Sequence, residues 1–142
     1  MSEQPLALAH RWFTQVWNEG SQSAIHEMLA PDATMYGLPT PDGKPLVGPA
    51  DFVPFWRKFR EAFPDMRITV ERAVEQGDMV AVHCRVVGRH TGDALGIAAT
   101  KKPVEIWGMG IARAKDGKIV ETWNSFDFLA LYQQIGLLPA IG

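Results

Sequence analysis

Gly110-Ile-Ala-Arg-Ala-Lys-Asp-Gly-Lys-Ile-Val-Glu-Thr-Trp-Asn-Ser-Phe-Asp127 reads as a strand, a tight turn, a second strand and the start of a helix. Asp116-Gly117 between β-rich runs is a strong hairpin signal, because Asp and Gly tolerate the positive φ that such turns need. The second strand carries Trp123 and ends on Asp127, at the mouth of an apolar segment, 128–136. A carboxylate beside aromatic rings is a candidate acid or base whose proton affinity its surroundings can tune. Asp is also a preferred helix N-cap. The two roles are compatible, and the residues alone leave both open.

Working outward from this hairpin, 104–114 and 118–126 are its strands. Before it, 79–91 alternates, with Val80, Val82, Cys84 and Val86 on one face and Ala81, His83, Arg85 and Val87 on the other. A turn at Gly77-Asp78 separates it from another alternating strand, 66–75. Further upstream, Phe52, Phe55, Trp56, Phe59 and Phe63 recur at helical spacing, which predicts a helix over 51–63 with Pro54 in its first turn. Leu6, Ala9, Phe13, Val16 and Trp17 predict a first helix over 5–19, stopped at Gly20. A short helix, 23–29, capped by Ser21 or Ser23, and a short strand, 33–36, follow. The stretches 37–49 and 91–103 are rich in Gly, Pro, Ala and Thr and read as loops; long ordered loops are often lids or pocket walls.

Helices first, then a meander of long strands, make an α+β domain. The expected architecture is a curved antiparallel sheet with N-terminal helices on one face, enclosing an apolar pocket, in one domain over 1–142. The chain has 142 residues, 46% of them hydrophobic, which suffices for one core and argues against disorder.

The formal charge is −2 and no long basic run occurs, so the electrostatic footprint of a nucleic-acid binder is missing. No apolar run approaches the ~20 residues of a membrane span. The opening Met1-Ser-Glu-Gln-Pro shows no signal-peptide pattern, so the expected location is cytoplasmic. The single cysteine, Cys84, has no internal partner and reads as a buried, inert thiol. The four histidines include no pair at metal-ligand spacing, and no metal site is expected.

Three groups of residues carry a resemblance to a known family. Val16-Trp-Asn-Glu-Gly20 precedes Met28-Leu-Ala-Pro-Asp-Ala33; Gly88-Arg-His-Thr-Gly92 precedes Leu95-Gly-Ile97; Arg113-Ala-Lys-Asp-Gly-Lys-Ile-Val-Glu-Thr-Trp123 precedes Asp127 and Gln133-Gln-Ile-Gly136. In this order the chain resembles, over nearly its whole length, the SnoaL-like polyketide cyclases of the NTF2-like superfamily. The resemblance implies a cone-shaped α+β fold and a metal-free, cofactor-free aldol cyclisation of an aromatic polyketide ester. It places Asp127 where these cyclases carry their acid/base carboxylate, four residues after the tryptophan. Arg113 stands where they carry a histidine.

The resulting candidates are Asp127 as proton shuttle, with His90 and Arg113 steadying a developing oxyanion. Each has a plainer reading: a helix cap for Asp127, an exposed strand-end histidine for His90, and a surface ion pair with Glu121 or Asp116 for Arg113. Tyr36, Trp107, Trp123 and Phe55 are candidate walls for a flat, apolar substrate, against the plainer reading of ordinary core aromatics. Phe52, Phe59 and Phe63 read as core alone. His83 is expected on the outer surface or in a dimer contact, and His10 toward solvent or the pocket.

Two functions follow. One is a small enzyme for an apolar carbonyl compound, by aldol cyclisation or a related isomerisation or dehydration. The other is a non-catalytic NTF2-like module that binds a small molecule or a protein. A homodimer through the open face of the sheet is expected in either case.

Overall fold

A computed structural model describes residues 4–139. Residues 1–3, part of the stretch read above for a signal peptide, lie outside them, as do 140–142. The chain opens with helix α1, Pro5–Arg11, with proline in the first turn where its missing N–H costs nothing. The same helix continues as a π-helix, Trp12–Asn18, rather than as the α-helix its spacing predicts. The Glu19 N–H bonds to the Thr14 carbonyl, five residues back. Trp12, Phe13, Val16 and Trp17 of this wider turn all reach the core.

Helix α2, Gln22–Met28, is capped by the Ser21 hydroxyl, which accepts the Ala24 N–H at 3.2 Å. Strand β1, Leu29–Tyr36, starts four residues earlier than expected and runs through Pro31-Asp32, where its register shifts. The loop after it holds a two-residue strand, β2, Leu46–Val47, and leads into helix α3, Gly48–Ala62. Four long strands follow: β3 (Arg67–Gln76), β4 (Met79–Arg89), β5 (Pro103–Lys115) and β6 (Lys118–Phe126). Helix α4, Phe128–Gln134, ends the fold, with Asp127 as its N-cap.

The six strands form one sheet in the order β2-β1-β6-β5-β4-β3. It is mixed, not wholly antiparallel as expected, because β1 lies parallel to β6. A strand from the helical first third has been inserted beside the last strand of the meander. Register shifts that leave an extra residue at Glu71 on β3 and at Val120 on β6 bend those two strands. The sheet curves around α1, the π-helix and α3 without closing.

Alternation along β4 and β5 divides the sheet into two faces. Val80, Val82, Cys84, Val104 and Ile106 are buried against the helices. Trp107, Met109 and Ile111 point to the opposite, outer face and are 41%, 56% and 41% exposed. The inner face and α3 build a continuous apolar core that includes Phe52, Trp56, Phe59 and Phe63. The Trp56 indole donates to the Val16 carbonyl at 2.8 Å, which ties α3 to the π-helix inside that core. No described helix is long and apolar enough to cross a membrane.

Candidate functional site

The curved sheet, α3 and the π-helix leave a cavity of about 100 Å³ between them. Phe52, Phe55, Phe59 and Phe63 reach it from α3, one helical turn apart; Phe13 and Trp17 reach it from the π-helix. Phe126 enters from the end of β6, and Leu38 and Phe128 stand on the loop after β1 and on α4. Phe52, Phe59 and Phe63 thus line a cavity as well as building the core, more than the sequence reading gave them. Ring pairs such as Phe55–Phe59 (5.0 Å between centroids) and Phe59–Phe128 (5.6 Å) make the wall nearly continuous.

Gly108 permits one of these placements. A Cβ there would stand 2.2 Å from the Phe126 ring, so the ring lies over β5 only because that position has no side chain. Among the described residues no titratable side chain lines the cavity. Asn124 is its one amide, held on the inner face of β6. Sequence reasoning passed over Asn124 because it sits between Trp123 and Asp127, both more conspicuous; its parity with Thr122 and Phe126 was the available signal.

The residues singled out in the sequence fall into four places. Phe55 lines the cavity. Tyr36, Trp107 and Trp123 do not: they belong to the outer face, where Tyr36 and Trp123 stack at 6.2 Å across the parallel β1–β6 pair. Trp107 stacks there on His83 at 5.0 Å, and His83 also bonds to Arg72. Strand parity explains the difference, since Trp123 pairs with Ile111 and both point away from the helices.

Asp127 is exposed, and its Oδ1 accepts the Ala130 N–H at 3.0 Å. Its backbone N–H bonds to the Trp107 carbonyl. Its two chain neighbours, Phe126 and Phe128, both line the cavity, so the carboxylate stands beside the cavity wall without being part of it. Arg113 lies at the far end of β5, bound to Asp78 at 3.0 Å and to Glu121 at 3.5 Å. Of the partners expected for it, Glu121 is present and Asp78 takes the place of Asp116.

His90 is fully buried below the loop that joins β4 to β5. Its Nδ1 accepts the Thr100 N–H at 3.1 Å and lies 2.9 Å from the Thr100 hydroxyl. With Nδ1 accepting, the ring hydrogen sits on Nε2, which has no partner among the described residues. The ring packs on Phe63 at 5.5 Å. Asp127, His90 and Arg113 are therefore at three separate places, and no contact joins any two of them. His10 is exposed at a shallow polar depression. Among the described residues no group of three or more His, Cys, Asp or Glu side chains could hold a metal ion.

Comparison with known proteins agrees with this architecture. The chain superposes on IdmH of Streptomyces antibioticus, a proposed polyketide cyclase, with a TM-score of 0.80 and 30% identity, covering 94% of this chain and 99% of that one. AclR of Streptomyces galilaeus, a proposed hydroxylase, gives 0.82 and 28%, covering 97% and 84%. A SnoaL-like protein of Jannaschia sp. CCS1 gives 0.83 at 23% identity, covering 96% and 94%, and shares the fold. No curated protein sequence matches significantly. The model of the SnoaL-like polyketide cyclases matches residues 7–135, nearly the whole described chain, and the protein belongs to that family.

Proposed function

We propose that the protein is a small acid/base enzyme that takes an apolar, ring-bearing carbonyl compound into this cavity. The reaction class is aldol cyclisation, or a related isomerisation or dehydration. The observation that carries the reading is the aromatic cavity itself, closed by Leu38 and Phe128. Asp127, between two cavity-lining phenylalanines, is the candidate proton carrier; one oxygen is committed to the helix cap and the other has no bond among the described residues. Removal of a proton next to a carbonyl needs a base within ~3 Å of the carbon acid, so substrate must approach the rim of the cavity at α4. A free volume of about 100 Å³ is below the ~150 Å³ cavity that holds benzene. A polycyclic substrate therefore requires the Leu38 loop or α4 to yield.

The alternative is a binding module without chemistry, favoured by the absence of any titratable side chain from the cavity lining of the described residues. Asp127→Asn separates the two, because Asn caps a helix about as well as Asp while carrying no transferable proton. Aromatic hydroxyketones and polyketide esters are screened by thermal shift; a ligand at ~100 times its dissociation constant stabilises by roughly 2.7 kcal/mol. Hits are then assayed for product. The enzyme reading expects turnover that Asp127→Asn abolishes with binding retained; product formed equally by the variant excludes Asp127 as the carrier.

A second copy of the chain is the proposed cover for the outer face. Trp107, Met109 and Ile111 form an apolar strip there, flanked by the Arg85–Glu105 pair at 3.0 Å and by Arg113 with Asp78. A two-fold interface can bury such a strip and set charges of opposite sign across its rim. Light scattering at micromolar concentration should give twice the chain mass, and Trp107→Glu should halve it.

A further inference from the structure

Behind the main cavity lies a smaller recess of about 40 Å³, floored by Gly110, Ala112 and Ala9 and bounded by Thr122 and Ile119. Trp12, Phe13, Met35 and Asn124 line both spaces, so these residues form the neck between them. Among the described residues Asn124 is the only side-chain amide at this neck. Its Nδ2 donates to the Tyr36 carbonyl and to the Thr122 hydroxyl, each at 2.9 Å. A carbonyl can only accept, so the amide nitrogen must face Tyr36 and the orientation of the group is fixed. Both amide hydrogens are thereby used. The Oδ1 is left as an acceptor with no partner among the described residues. Gly110 marks its direction: a Cβ at that position would stand 3.5 Å from Oδ1.

An unmatched acceptor in an apolar enclosure favours a ligand that brings a donor to it, and a ligand lacking one leaves the oxygen unpaired. We propose that Asn124 is the specificity-determining residue of this cavity, accepting a hydrogen bond from the hydroxyl of a phenolic or enolic ligand whose ring enters the outer lobe as the Leu38 loop or α4 yields and whose short ortho substituent enters the recess. The inference rests on the reading of the cavity as the ligand site and adds the chemistry at its neck. It also gives Gly110 and Ala112 a role: their missing side-chain volume is the room for that substituent.

The test compares 2-ethylphenol with 2-ethyltoluene, which has nearly the same shape and no donor, using the full chain and NMR titration. Shifts of the Phe55 and Phe126 signals report entry into the cavity. The wild type is expected to bind the phenol at least about tenfold more tightly. Asn124→Leu should bring the ratio close to one. Gly110→Ala, whose Cβ meets only ordinary contacts, should weaken 2-ethylphenol several-fold more than it weakens unsubstituted phenol. Equal affinities in the wild type, or a preference that survives Asn124→Leu, overturn the inference while the cavity reading stands. If neither compound shifts the Phe55 and Phe126 signals, the cavity reading falls and the inference with it. Should Asn124→Leu fail to fold without its tie to Tyr36, the wild-type ratio and the Gly110→Ala response together decide.

Discussion

At Asp127 two demands meet on one side chain, a helix cap and the proposed proton transfer, and substitution separates them. Asp127→Ala removes the acceptor of the Ala130 N–H and should cost about 1 kcal/mol in urea unfolding, while Asp127→Asn should stay within a few tenths. Cys84 presents a simpler case. Burial, and secondarily the Glu71 carboxylate, push its thiol up to about 12, so it stays protonated in the fold. In the unfolded chain it ionises above ~8.5. Stability contributed by this difference is intact below that pH and is lost as the pH rises toward 12. Wild type should therefore lose stability between pH 9 and 11 more steeply than Cys84→Ala, read as the pH slope of unfolding, and the native thiol should resist aromatic disulfide reagents at pH 8. At Gly37, φ is +85° and a Cβ would stand 2.0 Å from the Asn124 carbonyl, so Gly37→Ala should destabilise by several kcal/mol, roughly the scale of strain plus overpacking.

Among the elements, the two loops flagged by composition have distinct jobs. The 37–47 segment supplies Leu38 to the cavity wall, whereas the segment after β4 is fastened from below by His90. His90→Ala removes the acceptor of the Thr100 N–H, and hydrogen exchange at Thr100 should accelerate at least tenfold while β4 itself stays protected. The elements were legible where a single local rule governs: the Asp116-Gly117 hairpin and the alternation of β4 follow from spacing, whereas spacing left the cap of α2 between Ser21 and Ser23. The π-helix was not, because Trp12, Phe13, Val16 and Trp17 fit one apolar stripe in either helical form, and only packing against α3 selects the wider turn. Nor was the direction of the aromatics. Trp123 has the parity of Ile111, which is the outer one, and whether a face is inner or outer depends on where the helices dock.

For the whole molecule, order of elements sufficed to read the α+β class, and the groups of motifs from Val16 to Gly136, taken in order, carried the family. Topology needed more. The parallel insertion of β1 beside β6 leaves no local trace, since it joins strands from opposite ends of the chain. It also decides the candidate site, because Asn124 on β6 is oriented by the Tyr36 carbonyl on β1, 88 residues away. Time enters here. A ribosome adds roughly 5–20 residues per second, so β1 waits several seconds after leaving it for the strand that pairs with it. Until β3, β4 and β5 are made the phenylalanine row of α3 has little sheet to lie against, and until β6 is made β1 presents an open edge. Distant pairing of this kind also slows refolding of the complete chain. The chamber is thus completed last, and a nascent chain halted before residue 118 holds its apolar surfaces without Asn124, Phe126, Phe128 and Leu131 to close the wall.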